Sequence, residues 1–137
     1  MRKLTLKDFH ALFPHCALSI ANEQLSLLNA TMRQYRINNK RLIITANSSV
    51  VSPNVNLLLQ SYVTTTGTVY NPDPAAGGAG NLFTNNGAGA YTITLNGVPE
   101  PACGNPAGNT TPCPTKSLDI KSNLNGDSGG FALTRIQ

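Results

Sequence analysis

Apolar residues fall along the chain in two different rhythms. Near the front they recur at helical spacing. Leu6, Phe9, Leu12 and Phe13 form a short stripe that begins with Thr5 three residues before Asp8, a helix-start pattern in which the Thr oxygen accepts the third backbone N–H. Pro14 closes it. Leu18, Ala21, Leu25, Leu28, Met32 and Tyr35 then alternate steps of three and four. That rhythm predicts a longer helix starting near residues 17–19, with Asn38 and Asn39 as its stop, because Asn tolerates the left-handed conformation that closes helices.

From Arg41 onward the residues change to β-branched types and threonine, and the period changes to two. Strands are predicted over 42–45, 57–66, 91–95, 118–120 and 131–136. Tyr91, Ile93 and Leu95 share one face and Thr92, Thr94 and Asn96 the other, the alternation of a sheet buried on one side and wet on the other. Asn-Gly and Gly-Gly turn signals between 123 and 130 predict a hairpin from the last two strands. Residues 71–90, rich in Gly, Asn and Pro, read as a long connection of the kind that is mobile or functional. The expected fold is therefore α+β: a short and then a longer N-terminal helix packed on an antiparallel β-sheet with long Gly/Pro/Asn-rich loops. At 137 residues this is one domain, 1–40 helical and 41–137 β-rich.

Charge refines that picture. Charged residues make up 12% of the chain, about half the usual share, and Asn, Thr, Ser, Gly and Pro replace them, a balance more usual outside cells than in cytosolic enzymes. The net charge of +4 is concentrated at the front, where residues 1–41 hold seven Lys and Arg against Asp8 and Glu23. Arg33, Arg36, Lys40 and Arg41 would lie mostly along one face of the predicted helix. A solvated face is one reading of them; a binding patch for the phosphates of nucleic acid or lipid is the other.

Cys103 and Cys113 bound a segment full of turn formers, so their side chains can meet in a disulfide, which implies an oxidising compartment. Two free thiols in a loop are the alternative, and Cys16 has no assigned role. His10 and His15 are the only histidines and lie far from that pair, so no metal is implied, and no motif calls for a cofactor. No stretch approaches a membrane span. Met1-Arg2-Lys3 opens like a signal peptide, but Lys7, Asp8 and His10 interrupt its apolar core, so the expectation is that an export signal is removed or replaced, or that the chain reaches its destination by lysis or assembly. Asn29, Asn47 and Asn109 satisfy the glycan acceptor rule, as chance allows in a chain this rich in Asn and Thr.

Segments of the chain resemble three known families. Gly126-Asp127-Ser128-Gly129-Gly130 is similar to the nucleophile loop of chymotrypsin-like serine proteases, which would make Ser128 a nucleophile needing His10 or His15 as its base. Leu12-Phe13-Pro14, Leu28-Asn29-Ala30-Thr31-Met32 and Tyr35-Arg36-Ile37-Asn38 resemble the opening of phage chitinase-like endolysins. Residues 44–53 hold no Glu where that family carries its acid, which argues against glycoside cleavage by paired carboxylates. Tyr91-Thr92-Ile93-Thr94-Leu95-Asn96-Gly97-Val98-Pro99 followed by Ala102-Cys103 resembles the strand leading to the first cysteine of type IV pilins and pilin-like subunits. The pilin resemblance implies a helix on an antiparallel sheet with a late cysteine pair, although the long apolar helix that opens a pilin has no counterpart here.

The expectation drawn from all this is a non-enzymatic structural, assembly or adhesion subunit, displayed on a cell surface or virion filament. Its partners would be other subunits or a surface receptor. Rival expectations are a hydrolase using Ser128, or a phage-derived lysis enzyme, and a nucleic-acid binder using the basic residues.

Overall fold

The computed structural model describes residues 28–110 and 112–137, and over them the chain is almost wholly β. Its strands are β1 (Asn29–Arg36), β2 (Arg41–Asn47), β3 (Leu57–Leu59), β4 (Tyr62–Val63), β5 (Val69–Tyr70), β6 (Thr84–Gly87), β7 (Ala90–Asn96), β8 (Ile120–Ser122) and β9 (Thr134–Ile136). The only helical element among the described residues is a 3-10 turn at Pro74–Ala76, capped by the Asp73 carboxylate. The main sheet has five strands in the order β6-β7-β2-β1-β9. All its neighbours are antiparallel except β1 and β9, which run parallel. β3 pairs with β8 and β4 with β5 in two small antiparallel sheets.

The α+β expectation is therefore overturned in the part that can be seen. The second half of the predicted long helix is strand β1, and the short helix together with the first half of the long one lies outside the described residues. A bulge accounts for the misleading rhythm. Leu28 and Tyr35 are both buried, yet they are seven apart, an odd number that puts residues on opposite faces of a regular strand. The pairing of β1 with β2 shifts between Ala30 and Met32, which leaves Thr31 as an extra residue. Leu28 and Ala30 before the bulge and Tyr35 after it thus reach the same side, while Met32 turns outward. The Thr31 and Thr45 hydroxyls meet at 2.8 Å, and Thr45 Oγ1 accepts the Met32 N–H at 3.0 Å, so the irregularity is bonded into the sheet. Asn29, Thr31 and Tyr35 are weak helix formers, and continuous pairing with β2 prevails.

The core lies on one face of the main sheet. Tyr35, Leu42, Ile44, Ala46, Tyr91, Ile93 and Leu95 point inward and join Leu57 and Leu59 of β3, Ile120 of β8, and Leu118 and Leu133 beside them. The buried tyrosines satisfy their hydroxyls on loop carbonyls: Tyr35 donates to Val98 O at 2.7 Å, Tyr62 to Pro99 O at 2.7 Å and Tyr91 to Val55 O at 3.2 Å. The first two fix the segment after β7, which leads to Cys103.

Residues 71–90 are more ordered than their composition suggests. They hold the capped 3-10 turn and then β6, which turns into β7 through Ala88 and Gly89. Both turn residues have positive φ, +53° and +79°, as the tight turn of a twisted hairpin requires. A Cβ on Gly89 would stand 2.5 Å from Ser48 O, so glycine is needed for the close approach to the end of β2 as well. The hairpin expected near the C-terminus forms between 118–122 and 126–131, turning through Asn125 at φ +67°. β9 then leaves it and crosses to the far edge of the main sheet.

Candidate functional site

Cys103 and Cys113 are joined by a disulfide with their Cα atoms 4.7 Å apart. Both cysteines are buried at the foot of the loop, while Gly104, Pro106, Ala107, Gly108, Thr110 and Pro112 between them are exposed. The foot is stitched to the sheet: the Cys113 N–H donates to Leu133 O at 2.9 Å, and the Thr115 N–H donates to Cys103 O at 2.9 Å. Gly104, at φ +93°, lets this backbone pass close to Thr115 and Pro114, where a Cβ would come within 2.6 Å of the Thr115 hydroxyl.

Beneath the loop lies a buried ion pair. Arg135 of β9 is 3% exposed, and its Nε donates to Glu100 Oε2. Its Nη1 reaches up to Pro106 O at 2.7 Å and Asn109 O at 3.3 Å. One guanidinium thus ties the strand end, the segment before Cys103 and the crown of the loop together. A cavity of about 400 Å3 opens beside it, lined by Thr65, Glu100, Ala102, Gly104, Asn105 and Arg135. Neither residue of the pair stands out as a site in the sequence reading. A signal was present: Phe131, Leu133 and Arg135 alternate in one phase, so a cation occupies an inward position of an apolar strand.

The four basic residues do not share a helical face. Arg36 of β1 and Arg41 of β2 stand directly opposite each other, on the face away from Tyr35 and Leu42. Lys40 sits in the connecting turn at φ +49°. Arg33 lies on the other side of the strand and is exposed, its guanidinium 5.7 Å from the centre of the Phe131 ring. Pairing across the sheet extends the Arg36–Arg41 contact into a row, with Asn96 beside Arg41 and Ile136 beside Arg36. Asn96 Oδ1 accepts the Arg41 Nε–H at 2.8 Å. The next row is Thr94, Ile43, Gln34 and Thr134. A third is Thr84, Thr92 and Thr45.

Ser128 is held inside the last hairpin. Its hydroxyl donates toward Asp119 Oδ1 at 3.1 Å and Gly129 O at 2.9 Å, and its Oγ accepts the Ile120 N–H at 3.0 Å. His10 and His15 lie outside the described residues. Asp119 and Asp127 share this turn. Burial, and then hydrogen bonding with Asp127, push the Asp119 carboxyl up to about 6. Hydrogen bonding with Asp119 and the Gly129 N–H hold Asp127 below the usual carboxylate range. The two carboxyls therefore share a proton in mildly acid solution.

Among the described residues no helix is long and apolar enough to cross a membrane. No protein-family model matches the chain, and no curated protein matches it.

Proposed function

We propose that the protein is a structural, assembly or adhesion subunit of an extracytoplasmic surface, pilin-like in its combination of a mostly antiparallel mixed sheet with a late disulfide loop, and that it acts by being bound. The observation that carries this reading is the loop of residues 103–113. Its exposed crown is closed covalently at the base and supported from below by the buried Arg135–Glu100 pair. Such a lobe presents a fixed shape to a partner at little ordering cost, which favours binding by a surface loop on a rigid scaffold. The bridge itself favours an oxidising compartment. The hydrogen bonding of Ser128 favours a role in shaping the hairpin over one as a nucleophile, since its oxygen already accepts one N–H and its proton is directed at neighbouring oxygens.

Placing a bulky charge on the crown tests the proposal. Ala107→Glu with Thr110→Glu is expected to leave the melting temperature unchanged and to abolish assembly with the native surface structure, followed by sedimentation and electron microscopy of the host's surface fraction. Assembly at wild-type level in that variant, or ester or peptidoglycan hydrolysis that Ser128→Ala removes, would sink it.

A further inference from the structure

The outer face of the main sheet carries a charge arrangement that folding alone does not favour. Arg36 and Arg41 are directly opposed across β1 and β2, and like charges in that position destabilise a sheet. Lys40 adds a third cation at the adjoining turn. Among the described residues the Arg36 and Lys40 side chains have no hydrogen bond or ion pair, and the Arg41 side chain bonds only the neutral Asn96 amide. Among the described residues the acids that could neutralise them are engaged elsewhere. Glu100 is paired with Arg135, Asp119 and Asp127 are bound to one another in the last hairpin, and Asp73 caps the 3-10 turn.

Beside and behind the cations the face is uncharged: Asn96, Thr94, Gln34, Thr134, Thr92 and Thr45 supply donors and acceptors, with Ile136, Ile43 and Met32 among them. A sheet face with cations along one edge and hydroxyls and amides interspersed with three apolar side chains over the rest is complementary to a polymer that bears spaced anions and many hydroxyls. We infer that this face binds an anionic polysaccharide, with Arg36 and Arg41 taking its carboxylate or sulfate groups, Lys40 adding positive charge at the adjoining turn, and the threonine and amide rows taking its sugar hydroxyls. A nucleic acid fits less well. Its charge density calls for cations along the whole track, and the strands present no aromatic ring on this face for a base to stack on. The choice of a glycan rests on the extracytoplasmic setting proposed above; the cationic face itself does not.

Titration of the full chain at low and moderate salt with oligogalacturonate, a heparin-derived oligosaccharide, short duplex DNA and phosphatidylglycerol vesicles tests the inference. Binding of either anionic oligosaccharide, weakening with salt, is expected, and Arg36→Gln with Arg41→Gln should reduce it about tenfold or more. Because it relieves the opposed charges, that variant should melt no lower than the parent. Arg33→Gln, on the opposite face, should leave affinity within a factor of about two. Thr94→Val reads the same outer face without touching charge and should also weaken binding. Tighter binding of DNA or vesicles than of either oligosaccharide, equal loss in the Arg33 variant, unchanged affinity in both outer-face variants, or no oligosaccharide binding at all would overturn it. Intact mass with and without reductant on native material reads the compartment separately, so a bridged protein that ignores every glycan refutes this inference and leaves the surface reading standing.

Discussion

Replacing Arg135 by methionine keeps an apolar stem of similar reach and removes the guanidinium. Three acceptors then lose a donor: the Glu100 carboxylate, the Asn109 carbonyl and the Pro106 carbonyl, which keeps the Asn109 N–H. Breaking a buried ion pair by deleting one partner costs about 3–5 kcal/mol, because the other charge is left uncompensated. Glu100 is 17% exposed and can recover some water, which places the expected loss near the lower figure, about 3 kcal/mol. For a chain of this size that corresponds to a fall in melting temperature of roughly 10 °C. Denaturant unfolding of the oxidised protein gives the free energy, and hydrogen exchange at residues 104–110 reports whether the crown loosens. Removing both charges with Arg135→Met and Glu100→Gln should restore part of the loss, since a buried pair costs less to replace than to halve. A single variant within about 1 kcal/mol of the parent, or a double variant as unstable as the sum of the two single changes, would refute the claim that this pair supports the loop.

Reduction of the Cys103–Cys113 bridge, whose partners are 10 residues apart, should lower stability by about 2.7 kcal/mol on loop-closure grounds, read as a shift of the denaturant midpoint with and without reductant. Gly89→Ala should cost about 2 kcal/mol or more, because φ is positive and the new Cβ meets Ser48 O; Gly129→Ala, at φ +70° with open space around it, should cost only about 1 kcal/mol, and thermal melts separate the two. Asp119 has a raised pKa when folded, so its stabilising contribution is complete below the unfolded value near 3.8 and is lost as pH rises through about 6. Asp127 is depressed, so its contribution is present above 3.8 and is lost as pH falls through its lower folded value. Unfolding free energies between pH 4 and 6.5 should therefore fall by about 1 kcal/mol after allowance for solvent screening, and Asp119→Asn should flatten that slope.

Much of the sheet was legible because its central strands keep strict alternation. The alternation of Tyr91, Ile93 and Leu95 with polar neighbours places the inner face of β7 correctly, and the strand expected over 42–45 lies within β2. β1 was illegible for a specific reason. An odd interval between buried residues means a helix to any periodic test, and only the pairing partner reveals that Thr31 takes up the extra step. β6 was hidden by its Asn and Gly composition, since an exposed edge strand needs no apolar residues. The cysteine bridge could be read from turn chemistry. The charge pair beneath it could not, because Glu100 and Arg135 are far apart in sequence and only the fold brings them together. The basic cluster was found by composition, but its division between two faces follows from strand geometry, which a helical projection erases.

The parallel pairing of β1 with β9 has a mechanical consequence. Tension applied between the start of β1 and Gln137 pulls these neighbours in opposite directions along their length, so the bonds joining Gln34, Tyr35 and Arg36 to Thr134, Arg135 and Ile136 are loaded together. An antiparallel neighbour at the same place would instead be peeled open one bond at a time. A load carried along β1 and β9 is thus met in shear because of that single reversal of strand direction.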